Sequence, residues 1–77
     1  MNPDWSLVCT LLRRHYAPLA RVAKEAGSSW QHLCRLERGE VMQPRFATGV
    51  RLLDLAYDQL PPEAWQRIQE STKEVAA

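Results

Sequence analysis

Gly27-Ser28-Ser29 is all that separates two short apolar stripes, and no other feature of the chain limits its fold as strongly. Before it, Leu19, Val22, Ala23 and Ala26 recur at i, i+3, i+4 and i+7, the spacing of one helix face. After it, Leu33 and Leu36 continue such a face, with Trp30 on the flank. Glycine supplies the left-handed residue that ends a helix, and serine caps the start of the next. Helices are therefore predicted over 18–26 and 29–38, the second stopping at Gly39. Joined by so tight a turn, they must cross steeply.

The rest of the chain reads as helix too. Asn2-Pro3-Asp4 has the order of an N-cap, a proline at the first helical position and an acid near the positive dipole end. From there Trp5, Val8, Leu12 and Tyr16, with Leu11 beside them, predict a buried stripe. This helix runs to about His15, because Pro18 disfavours α conformation at Ala17. Beyond Pro44, the positions Phe46, Val50, Leu53, Ala56, Tyr57 and Leu60 keep helical spacing and predict a long helix over 45–60. Pro61-Pro62-Glu63 ends it and begins a fifth, carrying Ala64, Trp65 and Ile68; residues 71–77 read as a frayed tail. No strand, repeat or low-complexity segment stands out. The expected fold is all-α, a compact bundle of about five short helices in one domain over 1–70.

At 77 residues the chain is near the size at which a single core barely holds a fold, so a partner subunit is expected. With 45% hydrophobic and 25% charged residues it is an ordinary globular composition rather than a disordered one. Its apolar runs fall well short of the roughly 18 residues that span a bilayer, and no secretory core follows the N-terminus. A cytoplasmic protein is expected, with no membrane contact. Cys9 and Cys34 are too few for a disulfide framework and read as small half-buried hydrophobes. Together with His15 and His32 they lack metal-ligand spacing, so no metal is expected. There is no nucleophile elbow, no His-Glu-x-x-His and, with three glycines, no phosphate-cradling loop. Neither an enzyme, a cofactor nor a small-molecule ligand is expected.

The net charge of +1 hides a division. Residues 1–51 hold eight Arg and Lys against four acids; residues 52–77 hold two against five. Such asymmetry suits a chain that turns one face to a polyanion and the other to solvent. The second helix of the tight turn carries the same sign. Spacing places Leu33, Leu36 and Glu37 toward the body of the domain, and Gln31, Arg35 and Arg38 opposite, with His32 and Cys34 on the flanks. The outer face is thus made of long hydrogen-bonding side chains with almost no carboxylate.

The stretch VAKEAGSSWQHLCRLERG resembles the helix-turn-helix of the XRE/Cro/C1-type regulators, the group that includes the repressor and Cro of lambdoid phages. Val22, Ala23, Gly27, Ser29, Leu33, Leu36, Glu37 and Gly39 fall on its pattern without a gap, and Pro44-Arg45-Phe46 follows at similar spacing. The resemblance implies a lambda-repressor-like fold and a small sequence-specific transcription regulator, a Cro-like repressor binding a DNA operator as a homodimer. In such proteins the second helix enters the major groove while the first lies across the backbone. Trp30, Gln31, His32 and Arg35 are then the expected base contacts, Gln31 and Arg35 having the chemistry for bidentate bonds to adenine and guanine. For Trp30, packing at the core edge comes ahead of contact with a thymine methyl or sugar. Arg21, Lys24, Ser28, Ser29, Arg38 and Arg45 are the expected phosphate or minor-groove contacts, Arg45 through groove shape. Leu19 stands where phage proteins often carry a phosphate-binding glutamine. Glu37, facing inward, needs a cation, and Arg13 or Arg14 of the first helix is expected to supply it.

One reading helix covers too few base pairs for useful specificity, which again points to a two-fold dimer; Leu60, Trp65 and Ile68 are its expected interface. The same fold could instead serve as a protein-interaction module, such as a phage-encoded inhibitor or anti-repressor, or as an antitoxin that binds both DNA and a toxin partner.

Overall fold

The computed structural model describes residues 3–76, with side chains described over 3–71. Five helices follow one another: α1 (Trp5–His15), α2 (Leu19–Ala26), α3 (Trp30–Arg38), α4 (Phe46–Gln59) and α5 (Pro62–Ala76). Among the described residues there is no strand. The five-helix all-α fold expected from the sequence is what forms.

The turn between α2 and α3 is built as its residues dictate. Gly27 takes a left-handed φ of 70°, the Ser28 N–H donates to the Ala23 carbonyl at 2.8 Å, and the Gly27 N–H donates to the Lys24 carbonyl at 3.3 Å. These two bonds close the orphan carbonyls at the end of α2 in a Schellman motif. Ser29 then caps α3, its Oγ accepting the His32 N–H at 3.1 Å. The Arg51 guanidinium rests against the turn, with Nη1 2.6 Å from where a Cβ on Gly27 would stand. A flexible arginine tip can move aside, so the left-handed φ is what an alanine here must overcome. Gly27→Ala is expected to cost about 1–2 kcal/mol and to lower Tm by roughly 4–16 °C in a domain of this size. Thermal melts followed by circular dichroism would measure it, and an unchanged Tm would contradict the strain argument.

α1 is the central element and touches each of the other four helices. It contributes Trp5, Val8, Cys9, Leu11 and Leu12 to the core; α2 adds Leu19, Val22, Ala23 and Ala26, and α3 adds Leu33 and Leu36. Two expectations for α1 are corrected. Its N-cap is Asp4, whose Oδ1 accepts the Leu7 N–H at 3.2 Å, so Pro3 precedes the helix instead of opening it. Asn2, the expected cap, lies outside the described residues. Tyr16 is only half-buried, because the helix ends at His15 and the phenol turns outward to donate to the Glu25 carboxylate at 2.7 Å. That bond to a carboxylate raises the Tyr16 pKa. Cys9 is fully buried, and burial, followed by the neighbouring Glu37 and Cys34, pushes its thiol up to about 12. It is a neutral packing group.

α4 carries two faces, and periodicity alone does not say which goes inward. The buried one is made of small residues and one leucine: Thr48, Gly49, Leu52 and Ala56, continued by Leu60. Gly49 is the reason. A Cβ there would stand 3.1 Å from Trp5 Cη2 and 3.3 Å from Pro44 Cγ, so a bare backbone lets α1 and α4 close on each other. Phe46, Val50 and Tyr57 are left exposed on the other face, with Leu53 half-buried between them.

α5 returns over α1, with Ala64 and Ile68 in the core. Its backbone remains helical through 71–76, where a frayed tail was expected. Ser71 ties it to the start of α1, its Oγ accepting the Asp4 N–H at 3.3 Å and donating to the Ile68 carbonyl at 2.7 Å. Leu60 and Ile68, expected at a dimer interface, are 7% and 2% exposed and pack within their own subunit. Trp65, the third expected interface residue, is half-buried and meets Tyr57 edge-on, ring centroids 5.5 Å apart. The radius of gyration, 11.2 Å, is close to the roughly 11.5 Å of a folded chain this long. A single chain closes its own core.

Candidate nucleic-acid interface

Leu33 and Leu36, 0% and 1% exposed, seat α3 on the core and thereby fix which side of it faces out. Gln31, Arg35 and Arg38 are exposed together on that outer side, while His32 and Cys34 are half-buried on its flanks. The far end of α3 is tied down through Glu37. Its Oε2 accepts from Arg13 Nε and from Thr10 Oγ1, each at 2.9 Å, and Ser6 Oγ donates to its backbone carbonyl. Of the two candidate arginines, Arg13 is the partner and Arg14 stays exposed. Thr10 and Ser6 were not anticipated; both lie on the side of α1 that meets α3, at four-residue spacing.

At the opposite end, the N-terminus of α3 opens into a polar depression of about 330 Å³ lined by Gly27, Ser28, Ser29, His32, Arg45 and Thr48. Four residues expected at phosphate or base positions, from three parts of the sequence, meet there. His32 borders this depression half-buried, with its Nε2 enclosed and without a hydrogen-bond partner. Thr48 and Arg51 join the region unannounced. Thr48 gave no sequence signal, whereas Arg51 was visible as a cation on the basic half of the chain. Arg51 also places positive charge at the C-terminal end of α2, where the helix dipole favours it.

Trp30 is 53% exposed and leans away from this depression, toward a second, shallower one that it shares with Arg14, His15, Tyr16, Pro18 and Leu19. It keeps half of its surface free.

The acids of this half are already engaged. Glu25 accepts from Arg21 Nε at 3.2 Å, Glu37 from Arg13, and Glu40 from Arg38 Nε at 2.9 Å. Arg21 also lies over the Tyr16 ring, 5.3 Å from its centroid. Arg21 and Arg38 are therefore less available as phosphate clamps than the sequence suggested. Among the described residues of this half, Arg14, Lys24, Arg35, Arg45 and Arg51 have no carboxylate within ion-pair distance. These five cations carry its unbalanced charge. Among the described residues no cluster of three or more metal-ligating side chains forms, and no helix is long and apolar enough to cross a membrane.

No family model matches the chain, and neither a curated protein nor a solved structure is similar to it above the threshold of significance.

Proposed function

We propose that this protein is a small sequence-specific DNA-binding regulator, a Cro-like repressor in which α2, the Gly27 turn and α3 act as a helix-turn-helix. The observation that carries the reading is the outer face of α3: Gln31 and Arg35 stand free one turn apart, at the end of a helix whose N-terminus opens on a polar depression. A major groove admits one such helix and offers adenine and guanine edges to an amide and a guanidinium. A phosphate oxygen in the depression would meet the first-turn amides and Arg45. Two subunits acting on two half-sites supply the length of sequence that one α3 lacks. Occupying an operator in this way blocks a promoter without any ligand or catalytic step, and the reading places the protein in the cytoplasm.

Selection from a random duplex pool, followed by salt titration of the winning sequence, tests the reading. Enrichment of a two-fold sequence is expected. If Lys24, Arg45 and Arg51 each neutralise one phosphate per subunit, a dimer makes about six contacts, and log K should fall with log salt at a slope of about −5. A pool without enrichment, or binding indifferent to salt, would overturn it.

A further inference from the structure

Phe46, Val50, Leu53 and Tyr57 follow one another at spacings of four, three and four. That is the alternation of a narrow coiled-coil seam, and a helix of 3.6 residues per turn aligns it into a stripe about 16 Å long. In a domain that has closed its own core this stripe stays outside: Phe46 is 88% exposed, Tyr57 69% and Val50 42%. Trp65 extends it sideways through its contact with Tyr57. Beside Phe46 lies a mainly apolar depression of about 310 Å³, walled by Trp5, Pro44, Gly49, Val50 and Leu53.

Charge along α4 runs in one direction. Arg45, which borders the depression beside Phe46, marks its start, and Asp54 and Asp58 its C-terminal half, in the same sense as the helix dipole, while Arg51 is turned away to the Gly27 turn. Two such helices side by side in the same direction would repel, and in opposite directions would attract at both ends. Reversal also sets Tyr57 of one copy against Phe46 and the depression of the other, twice over by symmetry. A surface complementary to itself under a two-fold axis is what an isologous dimer requires.

We propose that the outer stripe of α4 is the docking seam for a second copy of this chain, with the two α4 helices antiparallel. The seam replaces Leu60 and Ile68 as the contact between subunits, and it deepens the two-subunit element of the function proposed above. Thr48, which lines the depression at the start of α3, lies on the opposite side of α4, so pairing leaves that depression open. The two rings expose on the order of 300 Å² per copy. Pairing then buries upward of about 600 Å², below the roughly 1,200 Å² at which stable specific interfaces begin, so the dimer is a weak, concentration-dependent one.

Sedimentation velocity of the full chain, from low micromolar to several hundred micromolar and without DNA, tests the seam independently of what α3 binds. The wild-type protein is expected to pass from monomer to dimer. Phe46→Glu and Tyr57→Lys are each expected to remain monomeric with unchanged helical circular dichroism, and Val50→Glu, which does not touch Trp65, provides a further monomeric variant. In an antiparallel pair the glutamate at 46 faces the lysine at 57, so an equimolar mixture of F46E and Y57K should re-form dimers. A wild-type protein monomeric throughout, whatever else it captures, would overturn the proposal, as would dimers that survive all three substitutions or a mixture that fails to pair.

Discussion

Leu33→Ala is expected to remove a large part of the protein's stability, although it removes only three carbon atoms. The side chain is 0% exposed and is one of two leucines that seat α3 on the core. Truncating a buried leucine costs about 2–5 kcal/mol, the transfer term plus the cavity left behind. A chain of 77 residues at roughly 0.05–0.15 kcal/mol per residue has only about 4–12 kcal/mol in total. The loss is therefore a large fraction of the whole. Phe46→Ala removes a bigger side chain that is 88% exposed, and its effect on the monomer should stay within about 0.5 kcal/mol. Urea denaturation of the two variants side by side measures the contrast; equal midpoints would mean that α3 is not held by this core.

Arg35→Ala should do the reverse, sparing the fold and removing discrimination. Arg35 is exposed and has no carboxylate partner within ion-pair distance, so stability should change by no more than about 0.5 kcal/mol. A bidentate arginine–guanine contact is worth about 1–3 kcal/mol, and a two-fold site contains it twice. Affinity for the selected duplex should fall by about 30-fold or more, with tolerance appearing at one base pair in each half-site. Affinity for random duplex should change much less, since Lys24, Arg45 and Arg51 remain. Fluorescence anisotropy against the selected site and its single-base variants reads both quantities. A uniform loss across all duplexes would make Arg35 a phosphate contact and remove it from the reading face.

What could be read in advance differed from element to element, for physical reasons. The turn between α2 and α3 was legible because a left-handed residue and a serine cap are local requirements that few sequences meet by chance. The inward Glu37 was legible from spacing, but its partner was not, since either arginine was within reach along α1 and only packing selects Arg13. The inward face of α4 was not legible, because its larger apolar residues, Leu52 and Leu60 apart, mark the outer stripe while small ones line the inner face. Hydrophobicity ranks Phe46 above Gly49; close approach to Trp5 ranks them the other way. Leu60 and Ile68 misled for a related reason, as lying late in a short chain says nothing about exposure. Arg51 was missed because its neighbour Gly27 is 24 positions away in sequence.

The fastening of α3 at its two ends has a thermodynamic consequence. Ser29 holds one end, and Arg13, Thr10 and Ser6 hold the other through Glu37. A helix so anchored has little conformational freedom left to surrender when it meets a ligand, so the enthalpy and heat capacity of complex formation should come from surfaces and water rather than from coil becoming helix. On the proposed reading, any bending needed for a good match falls upon the duplex, and stiff and pliable operators of equal base content would be told apart by the work of deforming them.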